Sequence, residues 1–202
     1  MSPAILLFLA LGLGLAGWLA ARARAWAFRR DSAERRLPSL PVYHAWYVAL
    51  WIILPMVAFI ALWSAIAPGL VTQQVLASPA AAELPAFGFQ RQTILNEARA
   101  VATGAASAVF NPQAAALVEP YREALFYYNT IGIVVALLIA FLAGTYAFLK
   151  LRPDFAARSK VERIVMAILL GASLFVLPGI WVMVKIAFAE YLLVLRGLTP
   201  LA

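Results

Sequence analysis

Four long apolar runs, separated by basic or polar segments, constrain this chain more than any other feature of it. They cover residues 3–21, 44–66, 126–149 and 164–184, and none of them contains Asp, Glu, Lys or Arg. A helix rises about 1.5 Å per residue, so about 20 residues cross a hydrocarbon core about 30 Å thick. Each run therefore reaches from one membrane face to the other. Composition agrees: 65% of the 202 residues are hydrophobic and 12% charged, against about 45–50% apolar in soluble domains. The predicted fold is an all-α membrane protein. It has about four transmembrane helices, with a helical extracytoplasmic segment between the second and third.

The positions of the charges set the orientation. Arg22, Arg24, Arg29 and Arg30 follow the first run instead of preceding it, which argues against a cleaved signal peptide and for a retained helix. By the positive-inside rule its N-terminus lies outside and residues 22–42 form a cytoplasmic loop. Lys150, Arg152, Arg158, Lys160 and Arg163 form a second basic cluster, so residues 150–163 are predicted to be cytoplasmic and 67–125 external. The net charge of +7 is thus a topology signal and does not point to nucleic acid. These marks divide the chain into a helix pair at 1–66, an external segment at 67–125 and a second helix pair at 126–202.

Within this frame several residues invite closer reading. Gly12, Gly14 and Gly17 give the first helix a small-residue face suited to close packing. Pro55 falls in mid-span, either as a hinge or as a packing feature. Residues 90–109 contain strong helix formers and no proline, so a helix is predicted there. Arg91 and Arg99, two turns apart, share one face that is either an anion contact or simply solvated. Lys185 and Glu190 lie in an otherwise apolar stretch, at an interface or facing a bundle interior.

No catalytic constellation emerges. There is no cysteine and only one histidine, which excludes disulfides, thiolate chemistry and a multi-histidine metal site. Ser173 lacks a nucleophile elbow, and no phosphate-cradling glycine loop is present. His44, beside interfacial aromatics, reads as a hydrogen-bonded anchor rather than a proton relay. The expectation is a non-enzyme without cofactor or metal.

Two landmarks carry a family resemblance. The first is Leu37-Pro38-Ser39-Leu40-Pro41-Val42-Tyr43-His44-Ala45-Trp46-Tyr47-Val48-Ala49-Leu50-Trp51. It resembles the Leu-Pro-x-Tyr-His-Gly-Trp-Tyr-x-x-Leu-Trp segment near the start of long PstC-type permease subunits of bacterial phosphate ABC importers, with Ala45 in place of glycine. The second, Ala157-Arg158-Ser159-Lys160-Val161-Glu162-Arg163, is similar to the Arg-x-x-x-Glu-Arg stretch before that family's transport core. The resemblance singles out Tyr43, His44, Trp46, Tyr47, Trp51, Arg158, Glu162 and Arg163 as interface or landmark residues. It implies an accessory or scaffold N-terminal region in the inner membrane that does not transport alone, since the core and its coupling loop are not in this sequence. The implied partners, besides the lipid bilayer, are a permease core or second permease and, indirectly, the nucleotide-binding and periplasmic binding subunits. The alternative is a stand-alone small inner-membrane protein that binds or regulates another partner through its external segment.

Overall fold

Every apolar run lies inside a helix longer than itself. The structure, a computed structural model, describes residues 3–31, 39–152 and 154–198. Five α-helices follow one another: α1 (Pro3–Asp31), α2 (Pro41–Leu76), α3 (Gly88–Ala102), α4 (Pro112–Leu149) and α5 (Ala157–Leu198), with a 3-10 turn at Pro79–Glu83. There is no strand among the described residues. Four of the helices, all but α3, are long and apolar enough to cross a membrane.

The helices overrun the expected loops. Residues 22–31, assigned to a loop from their arginines, continue α1 to Asp31. Arginine, alanine and the aromatics between them accept helical geometry, and neither glycine nor proline interrupts them. Arg35, Arg36, Leu37 and Pro38 lie outside the described residues. The 36 residues of α2 and 38 of α4 give rods of about 54 and 57 Å, far beyond one hydrocarbon thickness. Both run unbroken through residues 66 and 125, so the apolar runs and the segment between them share the same two helices. Pro55, Pro68, Pro120 and Pro178 are all accommodated inside helices.

Helix ends follow local chemistry. Pro41 and Pro112 occupy first-turn positions, where the missing amide has no helical partner to lose. Asn111 caps α4 by accepting a bond from the Gln113 amide at 2.9 Å. The helix expected over 90–109 stops at Ala102, because Gly104 turns left-handed with φ of 79° and the Gly104 amide bonds back to Val101. Glu97 then closes the following loop, its carboxylate accepting from the backbone amides of Phe110 and Asn111.

Two apolar cores result. One lies along the membrane helices, with Val48, Ile52, Met56 and Ile60 of α2 against Ala136 and Ala140 of α4 and Ala10 of α1. The other lies beyond, where Val71 and Val75 of α2 and Leu117 and Tyr121 of α4 hold Ile94, Leu95 and Ala98 of α3. Glycines set the helix separations. A Cβ on Gly14 would sit 2.5 Å from Ile53, one on Gly144 2.9 Å from Ile52, and those on Gly17 and Gly132 would collide with Ile52 and Trp63. Gly12, expected on the same packing face, meets nothing within 4 Å. The pairs Gly132–Trp63 and Gly144–Ile52 also show that α2 and α4 run antiparallel.

α5 stands apart. Among the described residues it touches α2 alone of the other helices, and none of its most apolar window is buried.

Candidate functional site

The two sequence landmarks meet at the arginine-rich end of the bundle, where α2 begins and α4 and α5 are joined. Pro41 starts α2 so that Tyr43, His44, Tyr47 and Trp51 climb one side of it at helical spacing. The turn after α4 delivers Phe155 into this row. Its ring lies 4.9 Å from Tyr47, edge-on, and 6.1 Å from His44. Trp51 meets Tyr146 of α4 at 5.3 Å. The result is an aromatic girdle contributed by three separate segments.

Cations rim the girdle. The Lys150 ammonium lies 4.3 Å from the Tyr146 ring centroid, Lys160 4.4 Å from Phe155, and the Arg158 guanidinium 5.9 Å from Tyr43. Each is attracted to the negative face of its ring. A hydrogen bond to the Tyr146 hydroxyl raises the Lys150 pKa above the ordinary lysine value. The charged form therefore persists through neutral pH, and the contact is lost only as pH rises through that raised value. Arg158 also bonds Glu162 at 2.7 Å across one turn. With both side chains more than half exposed, this pair is worth about 0.3–0.5 kcal/mol.

A polar bond also ties the landmarks together. The buried Ser39 hydroxyl accepts from the Arg158 amide at 3.2 Å. Arg158 is the second residue of α5, so Ser39 plays the part of an N-cap side chain from a distant point in the chain. His44, 3% exposed, places Nδ1 3.3 Å from the Leu40 carbonyl. The carbonyl only accepts, so Nδ1 donates, and Nε2 is left buried without a hydrogen-bond partner.

Of the residues singled out from sequence, Tyr43, His44, Tyr47, Trp51, Arg158 and Glu162 come together here. Trp46 is 48% exposed and turned away, and Arg163 is exposed outside the junction. Sequence reasoning missed Ser39 and Phe155, although Ser39 sits just ahead of the helix-starting Pro41. Elsewhere, Ser173 only bonds back to the Leu169 carbonyl. Arg91 and Arg99 are both exposed, and Arg99 alone borders a cavity of about 260 Å³ near Tyr128 and Asn129. The Lys185 ammonium rests 4.3 Å from the Trp181 ring centroid, while the Glu190 side chain lies outside the described residues. No group of three potential metal ligands occurs among the described residues.

The junction holds the start of α5 against the start of α2 through ring contacts, cation–ring contacts and the Ser39 bond. Residues 5–177, which include both landmarks, match the family DUF3708, described as "Phosphate ATP-binding cassette transporter". The chain belongs to this family. No curated protein and no solved structure matches it. For a member of the phosphate ATP-binding cassette transporter family, a multi-pass helical body is the expected setting, and the girdle marks where its last described helix departs from the rest.

Proposed function

We propose that this chain acts as the N-terminal accessory or scaffold region of a PstC-type permease in a phosphate ABC importer, docking a transport core in the inner membrane without moving phosphate itself. The observation that carries this reading is α5. None of its most apolar window is buried among the described residues, and large side chains such as Leu170, Leu177, Trp181 and Phe188 are more than half exposed. The girdle holds only its first turns against α2. A helix so fixed at one end presents the rest of its length to neighbouring helices of a permease.

The apolar lining of the membrane bundle supports the non-transporting half of this reading. The bundle's largest cavity among those described is lined by apolar side chains and one threonine. Detergent pull-down of the full chain is expected to recover phosphate-importer subunits, with cross-links from α5 to a permease. A partner set lacking every such subunit would overturn the scaffold reading. Phosphate uptake by vesicles containing the purified chain alone would overturn the non-transporting half.

One observation favours the second reading, a partner-binding role for the external segment. Phe87, Phe89 and Phe110 are 67%, 77% and 94% exposed there. Replacing all three by serine distinguishes the readings: loss of partner capture supports the external surface, and unchanged capture supports α5.

A further inference from the structure

A groove runs along the membrane bundle where α1 and α4 both lean on α2 and leave a gap between them. Val48 and Ile52 of α2 form its floor, Gly17 and Ala20 one wall, and Ala140 and Gly144 the other. These wall residues are small, so space of about 600 Å³ stays open between the larger Leu13, Leu137, Phe141 and Phe148 that also line it. It follows α4 from Leu137 to Leu149, about 18 Å of helix, close to the ~15 Å depth of one leaflet.

The basic end of the groove is marked by charge. Arg24 lies one turn beyond Ala20 on the same face of α1, and its guanidinium sits 4.7 Å from the Phe148 ring centroid at the groove's end. Phe28 supports it from one turn further on, at 5.7 Å. Among the described residues no carboxylate pairs with it. The guanidinium therefore keeps its hydrogen-bond fork available for an anion, and phosphate oxygens match that fork.

Length and charge suit a lipid. A methylene group takes about the room of a water molecule, about 30 Å³, so a chain of about sixteen needs on the order of 480 Å³ and fits. An apolar groove one leaflet deep with a guanidinium at its basic end matches an acyl chain joined to an anionic headgroup.

We infer that this groove is a binding site for one anionic glycerophospholipid, an acyl chain lying between α1 and α4 and the headgroup phosphate on Arg24. The site is independent of the scaffold role and belongs to the chain by itself.

Native mass spectrometry of the delipidated full chain in detergent, titrated with phosphatidylglycerol or phosphatidylethanolamine, tests it. The unaltered chain is expected to retain one phosphatidylglycerol in preference to phosphatidylethanolamine. Arg24→Gln is expected to reduce that preference about five- to tenfold, as loss of one basic contact with an anionic headgroup implies. Ala20→Phe, which fills the groove from an exposed wall position, is expected to weaken both lipids alike. Thr145→Phe fills it from the opposite wall, should Ala20→Phe lose helicity by circular dichroism. Equal retention of the two lipids by the unaltered chain would overturn the inference, as would full lipid retention by a folded groove-filling variant. A photoreactive group at position 20 that captures a protein helix in membranes rather than lipid would overturn it too.

Discussion

Single side chains set the joints of this protein, and two of them bear directly on what the junction is for. The Ser39 hydroxyl, accepting from the Arg158 amide, supplies a polar link between the start of α2 and the start of α5. Ser39→Ala is expected to cost about 1 kcal/mol, as loss of a capping oxygen does, and to speed hydrogen exchange at the Arg158 amide. Exchange unchanged at that amide would show that α5 is held otherwise. His44 tests the opposite idea. Its Nε2 is buried without a partner, so the imidazole carries a desolvation cost that one bond to Leu40 only partly offsets. His44→Phe, which keeps ring contact with Phe155, is expected to leave thermal stability in detergent unchanged or raised. A loss of importer activity without loss of stability would give His44 a protonic role beyond anchoring.

At the scale of elements, small residues govern how close the helices come. Gly132, Ala136, Ala140 and Gly144 recur every four residues on α4 and are buried along α2. In a bilayer, where lipid is as apolar as leucine, such close approach supplies much of the association through van der Waals contact. Gly132→Val forces a Cβ and its branches into the Trp63 indole and is expected to cost about 1–3 kcal/mol by overpacking. The paired variant Trp63→Leu with Gly132→Val is expected to recover part of that loss, because the obstructing ring is gone. Equal instability of single and double variants in detergent unfolding would place the strain elsewhere. Gly12→Val, with open space around it, is the matching control and is expected to change little.

For the whole molecule, charge asymmetry and shared helices make a consistent picture. The basic clusters lie at the end where α2 begins and α4 finishes, whereas α3 and its core lie at the other. Since the chain has no cysteine, single cysteines report topology directly. Arg30→Cys is expected to react with impermeant thiol reagent only from the cytoplasmic side and Arg91→Cys only from the outside. The reverse pattern would invert the orientation. α2 and α4 pass without a break from the first core into the second, so movement of the segment between the apolar runs is mechanically tied to the bundle. That segment gains its stability from a ten-residue apolar core to which α2 and α4 themselves contribute.

The apolar runs by themselves determined that the chain is helical and spans a membrane about four times, because a continuous apolar segment of about 20 residues satisfies its own backbone amides in hydrocarbon only as a helix. The order Tyr43-His44-Ala45-Trp46-Tyr47 and the cluster at Arg158 and Glu162 were equally legible as landmarks. Helix ends were not: arginines marked 22–31 as loop although nothing in their backbone chemistry stops a helix, and Thr103-Gly104 ended α3 early. Only the tertiary structure decided that the two landmarks share one girdle, since Phe155 and Ser39 reach it through a turn and a cap that no sequence periodicity encodes. It alone separated Gly14 and Gly17, pressed against α2, from Gly12, and it alone left α5 uncovered. The physical reason is common to all three. Hydropathy fixes which segments enter lipid, but which faces touch depends on the rotation of each helix about its axis, and that is set by packing between residues far apart in the chain.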